Sequence, residues 1–208
     1  MSLEELRERN KTLVIEKALD CFIKNGIDNT KITDIAKAAG LTERSIYRYF
    51  DTKTDLVQAA SYLFWNNTLE GIRNRVEASK ISGLPGIDQI RALLYQYSNL
   101  YFENRQGVLF TLDAEMYLYS AGRSKTLKRP PEKFETSNSP LVIAIRKGID
   151  DGSVSPDADA KELYYNAYDS ILGVMQKLAL EASGFDELDN KLRMKHLCDL
   201  FVRAFTGS

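Results

Sequence analysis

The segment "DIAKAAGLTERSIYRYFDTKTDL", Asp34 to Leu56, decides the fold of this chain. Gly40 stands between two short apolar-patterned runs, and Arg44, Tyr47, Arg48 and Tyr49 crowd together just after it. A helix that only fills a core has no use for cations and phenols gathered on one turn. The spacing predicts two short helices joined at Gly40, with Ile35, Ala36, Leu41, Ile46 and Phe50 turned inward. Thr30 and Thr42 are suited to cap them, and glycine accepts the left-handed backbone that a tight turn needs. The outward residues of the second helix are then Glu43, Arg44, Ser45, Tyr47 and Arg48. Arginine reads guanine with two hydrogen bonds or clamps phosphate, while hydroxyls donate to phosphate oxygens. The pattern matches a helix-turn-helix, whose second helix lies in the major groove of duplex DNA.

Upstream, Leu13, Val14, Ala18, Cys21 and Phe22 form an apolar stripe that stops at Asn25-Gly26. Downstream, a helix is predicted from about Lys53 past Trp65 towards Val76, followed by the turn-rich break Ser79 to Gly86. Further helices are predicted from about Ile87 to Asn104, then from Val108 to Ala121 with Gly107 as separator. A short one ends at Asp151-Gly152, and two long ones cover about Asp157 to Ala182 and Asp186 to Phe205. Gly122 to Pro140 reads either as a loop or as a helix beginning at Pro130-Pro131 and interrupted near Pro140. Strand alternation is not convincing anywhere. The expected fold class is all-α with about nine helices: a three-helix helix-turn-helix domain over residues 1–55, then a helical domain over 56–208.

The ordered set Ala18 with Phe22, Gly26, Ile35-Ala36, Gly40, Tyr47 with Phe50, and Lys53 with Leu56 resembles the N-terminal domain of the tetracycline-repressor (TetR) family of transcriptional regulators. The resemblance covers about a quarter of the chain. It implies that Tyr47 and Lys53 hold phosphates and that the helix bearing Arg44 and Arg48 reads bases. Tyr49 takes a place where the family often has histidine, and Lys31 a place where serine is usual. The DNA-contact candidates are Lys31, Thr33, Thr42, Glu43, Arg44, Ser45, Tyr47, Arg48, Tyr49 and Lys53. The resemblance further implies a small-molecule effector in the C-terminal domain and a homodimer built as a four-helix bundle from the last two helices of each subunit. Interface candidates there are Ala167, Ile171, Val174, Leu197 and Phe201. A two-fold dimer implies a near-palindromic double-stranded operator.

Composition narrows the classes. The net charge is −1 over 208 residues, so nucleic acid must be bound by a local arrangement and not by bulk attraction. Residues 1–56 hold ten basic and ten acidic side chains, but Lys31 to Lys53 holds five against three. Arg7 and Arg9 suggest an arm for the minor groove, diluted by Glu4, Glu5 and Glu8. The two cysteines, Cys21 and Cys198, form no metal-binding spacing and read as buried small hydrophobes. No apolar run reaches a membrane span and the N-terminus has no secretory h-region, so a cytoplasmic protein with no membrane partner is expected.

Aromatics at helical spacing ordinarily fill a core. Trp65, Tyr97, Tyr101, Phe110, Tyr117 and Tyr168 are nevertheless candidates to line an effector cavity, with Asp113 and Asp169 as polar groups. Carboxylates facing such a cavity would favour a cationic or hydroxyl-bearing effector. The single histidine, His196, reads as a surface or interface residue. No nucleophile–base pair, phosphate loop or metal-ligand spacing is found, so no enzyme and no cofactor is expected. The expected function is a repressor released from its operator by a small-molecule effector. The alternatives are a regulator controlled by a protein partner without a true pocket, and a helical interaction module that does not bind DNA.

Overall fold

Periodic apolar stripes and well-placed caps give helices throughout the computed structural model, which describes residues 2–123, 138–180 and 189–207. In order these are α1 (Leu3–Asn25), α2 (Ile32–Ala39), α3 (Glu43–Tyr47), α4 (Lys53–Ser79), a 3-10 turn (Ile81–Gly83) and α5 (Gly86–Ser98). They continue with α6 (Leu100–Glu103), α7 (Arg105–Ser120), α8 (Pro140–Asp150), α9 (Ala160–Leu180) and α10 (Asn190–Thr206). No strand occurs among the described residues, so the fold is all-α as expected. No helix among them is long and apolar enough to cross a membrane.

The chain separates into two compact units. The first runs to Asn67 and takes in the segment that begins at Gln106; the second starts at Thr68 and holds the remainder. This division differs from the expected one at residue 55, because α7 carries its apolar face into the N-terminal unit. Phe110 stacks on Phe22 of α1 at 6.3 Å and meets the edge of Phe64 of α4 at 5.8 Å. Val108, Ala114 and Leu118 of α7 are buried, as are Val14 and Ala18 of α1 and Val57 and Ala60 of α4. Helices α1 and α4 are capped by their own side chains. Ser2 and Glu5 bond each other's backbone N–H at the start of α1, and Thr52 and Asp55 do the same for α4.

In the second unit, α5 crosses α8 at backbone contact. A methyl placed on Gly86 would fall 2.1 Å from the Gly148 nitrogen, and one on Gly148 would fall 2.4 Å from Val154. Only glycine fits at either point. Helix α5 starts after Pro85 with no cap of its own, so its first N–H groups are satisfied from the turn after α8. Gly86 donates to Asp151 at 2.8 Å and Ile87 to Ser153 at 3.0 Å. Hydrogen bonds from Ser153, its side chain contributing most, and from the Gly86 N–H hold the Asp151 carboxyl below its usual range. Tyr95 of α5 donates a short hydrogen bond to Asp199 of α10, and the buried Cys198 thiol lies against the Leu94 carbonyl.

Three local expectations are corrected, and a fourth, left open, is resolved in part. Gly107 does not separate helices: it is buried within α7, and the break falls at Asn104, whose φ of −147° leaves the helical range. The helix expected over 87–104 is divided at Asn99 into α5 and α6. Thr30 is not the cap of α2; its buried hydroxyl donates back to the Gly26 carbonyl at 2.7 Å, closing the end of α1, and Lys31 takes the cap position. Ser139 caps α8 and Pro140 opens it, a position where its missing N–H costs nothing. The rest of the stretch left open from Gly122 lies, over residues 124–137, outside the described residues.

Candidate nucleic-acid interface

Helix α2 ends at Gly40, whose φ of 66° and ψ of 29° put it in the left-handed region, and Leu41 N–H returns to the Ala36 carbonyl at 2.9 Å. The chain is thereby turned into Thr42, which caps α3 by accepting from the Ser45 N–H at 3.2 Å. Ile46 and Phe50 are buried on the inner side with Ile35 and Ala36. Outward stand Thr42, Glu43, Arg44, Tyr47 and Arg48, all exposed, with Ser45 and Tyr49 half-buried. Tyr47 is 49% exposed, too much for a residue that serves packing alone. Lys31 and Thr33 are exposed at the start of α2.

The hydroxyls of Thr42 and Ser45 lie 2.9 Å apart, and the Arg48 guanidinium donates to the Ser45 hydroxyl at 3.1 Å. This chain fixes where Arg48 presents its remaining donors. Lys53 is turned inward. Its ammonium donates to the Ile27 carbonyl at 2.5 Å and sits 5.6 Å from the centre of the Tyr117 ring. Burial lowers its pKa, while Asp28 and Asp113 oppose that shift. Asp113 accepts the Ile27 N–H at 2.7 Å, so both polar groups of Ile27 are held by side chains, one from α7 and one from α4. Sequence reading missed this clasp, since nothing local connects Asp113 to the end of α1.

The eight effector candidates do not form one cluster. Phe110 and Trp65 belong to the first-unit core, where Trp65 meets Phe64 edge-on at 5.4 Å. Asp113 and Tyr117 are engaged with Ile27 and Lys53 in that same unit. In the second unit Tyr97 and Tyr168 stack at 4.9 Å, and Tyr164, not singled out from sequence, stacks on Tyr168 at 6.4 Å. These three rings line a cavity of about 40 Å³ with Ile72, Leu93 and Leu94. Tyr101 packs edge-on to Phe102, and Asp169 is exposed on α9. Neither expected carboxylate lines the cavity, which removes the argument for a cationic effector.

On α9 and α10, Ala167 and Ile171 are fully buried within the protomer, so they are core residues and not free surface. Val174, Leu197 and Phe201 remain partly accessible. Beside them lie Leu192, His196 and Leu200, lining with Val174 and Leu197 a groove of about 560 Å³, and Leu200 is 61% exposed. An added methyl on Gly173 would meet nothing within 4 Å, so this position is open to close approach.

A glycine-turned helix pair that buries its inner face and holds hydroxyls and guanidiniums outward defines a helix-turn-helix protein with an all-α body. A family model described as "Bacterial regulatory proteins, tetR family" matches residues 14–60. The curated regulator TtgR of Pseudomonas putida is 39% identical over 56 residues, which is 27% of each protein. The matched part thus spans about a quarter of that relative's length. A TetR-family regulator from Cytophaga hutchinsonii superposes with a TM-score of 0.64 at 21% identity, covering 100% of this chain and 98% of that one. GusR of Salmonella enterica gives 0.66 at 15% identity, covering 96% of both. Residues 14–60 thus match the TetR family of bacterial regulatory proteins, and the chain as a whole shares the fold of solved members of that family.

Proposed function

We propose that the protein is a homodimeric transcriptional repressor that binds a near-palindromic duplex operator through α2 and α3. The observation that carries this reading is the outward row Thr42, Arg44, Tyr47 and Arg48, exposed on a helix whose other side is buried. Arg44 reads a base edge; Tyr47, Thr42, Lys31 and Thr33 supply phosphate contacts that set register. The apolar groove and Gly173 on α9 and α10 support pairing of two protomers there. Selection from a randomised duplex pool tests the reading. It should enrich a near-palindrome with half-sites about one helical turn, or a multiple, apart. A pool that stays random after selection rules the reading out.

Release by an effector is placed at the Tyr97–Tyr164–Tyr168 cavity. Stacked rings and aliphatic walls suit an uncharged, flat, largely apolar molecule. At about 40 Å³ the cavity has room for a water or two, so an effector enters by moving the walls apart. Its binding is thereby linked to a change of shape, and couplings of this kind are typically about 1–3 kcal/mol, roughly 5–150-fold in operator affinity. The same small volume favours, as a second reading, control by a protein partner. A thermal-shift screen of planar apolar compounds separates the two: ligands that stabilise the wild type but not Leu93→Trp support the cavity.

A further inference from the structure

Leu3, Leu6, Arg7 and Asn10 recur at the spacing of a single helical face. That face of α1 borders an open groove of about 550 Å³ whose opposite wall is Arg48 and Tyr49, where α3 ends. From sequence, Arg7 and Arg9 suggest an arm diluted by Glu4, Glu5 and Glu8, and the structure changes both halves of that expectation. No arm is present over these residues, because α1 is helical from Leu3 and held by the reciprocal Ser2–Glu5 cap. The helix also turns the acids away: none of Glu4, Glu5 and Glu8 lines the groove, and neither does Arg9. What remains is two guanidiniums, an amide and a phenol, with no carboxylate among the lining residues. Like charges gathered on facing walls repel, so packing within the protomer gives no reason for the arrangement, whereas an anion between them does.

Two further features say which anion. Leu3 is 89% exposed and Leu6 40% exposed, an apolar lip on the same groove that a free ion would not use. A nucleic-acid backbone offers both kinds of surface, the phosphate oxygens and the apolar faces of deoxyribose. Arg48 also links the groove to the outward row of α3, and its bond to Ser45 leaves the rest of its donor fork available. We infer that this groove seats a backbone phosphate of duplex DNA, gripped by Arg7 from α1 and Arg48 from α3. The Tyr49 hydroxyl and Asn10 amide are further donors, and Leu3 and Leu6 pack on the neighbouring sugars. The inference rests on the DNA-binding reading above and extends the contact surface beyond the helix-turn-helix. It also moves Arg48 from base reading to backbone grip, leaving Arg44 as the arginine that reads sequence.

The test is a salt series by fluorescence anisotropy on the duplex that the wild type selects from a randomised pool. One phosphate contact contributes about 0.9 to the slope of log affinity against log salt, so its loss weakens binding about eight-fold near 0.1 M salt. Arg7→Ala should show that shallower slope and that loss, with base preferences unchanged. Arg7→Lys should keep the slope, and Arg9→Ala, on another face, should match the wild type. An Arg7→Ala slope equal to the wild type overturns the seat while leaving DNA binding in place. So does an equal change in Arg9→Ala, which would mark a bulk charge effect. A wild type that selects no duplex removes the DNA-binding reading, and this inference with it.

Discussion

Replacing Asp113 with alanine should loosen the joint between α7 and the end of α1. The Asp113 carboxylate accepts the Ile27 N–H at 2.7 Å, and Ile27 itself is fully buried. No other acceptor for that N–H is present among the described residues, so truncation strands a buried donor. A hydrogen bond to a charged group contributes about 1.5–3 kcal/mol, and a stranded buried donor costs about 1–3 kcal/mol. These are two views of one loss, so the expected destabilisation is about 2 kcal/mol, not their sum. Lys53 also loses a favourable neighbour, which adds to the loss because burial already disfavours its charge. Asp113→Asn keeps an acceptor without the charge and should lose roughly half as much. Urea denaturation should show the lowered midpoint, and amide exchange at Ile27 should speed up about thirty-fold if the opening is local. An Asp113→Ala protein with an unchanged midpoint and unchanged Ile27 exchange refutes the clasp.

Three other outcomes are expected. Gly86→Ala drives a methyl to 2.1 Å from backbone that cannot retreat, so it should cost about 3 kcal/mol, a fall of roughly 6–12 °C in calorimetric midpoint; Gly83→Ala, in open space, is the control. Burial, then the bond to Asp199, pushes the Tyr95 phenol up to about 12. The folded chain therefore keeps a proton that the unfolded chain releases near 10, and stability falls as pH rises from about 10 towards 12. Tyr95→Phe should flatten that fall in urea titrations across the interval, and an identical slope would show that the phenol does not titrate differently on folding. Leu200→Asp puts a charge on an exposed leucine beside the apolar α9–α10 groove, and should give a monomer with native helicity by sedimentation; an unchanged dimer would place the interface elsewhere.

Much of the fold is legible in the sequence because it depends on local chemistry. Gly40 and Thr42 do what a left-handed glycine and a threonine cap ordinarily do, and of the inward set, Ile35, Ala36, Ile46 and Phe50 are buried as the spacing predicts, while Leu41 is only half-buried. Errors arise where a residue's role depends on a distant partner. Gly107 looks like a stop, yet it lies buried inside α7. Ala167 and Ile171 look like interface, but a long helix in a crowded protomer buries more than one stripe. Asp113 reads as a ligand-facing carboxylate because its partner is a main-chain group that no side-chain pattern announces. The groove at α1 was within reach: the period that collects Leu3, Leu6, Arg7 and Asn10 is visible in the sequence, and only Arg48 opposite them is not.

The clasp on Ile27 bears on modularity. A helix-turn-helix is often treated as a cassette that can be cut from one protein and joined to another. Here the cassette borrows a helix: Phe110 completes its aromatic cluster and Asp113 completes its hydrogen bonding, both from α7, encoded well after the motif ends. During synthesis the head waits for that helix to emerge before its last bonds close. A chimera built by cutting at residue 67 would carry every motif residue and still lack part of its own interior, so transplantation of this head requires α7 to travel with it.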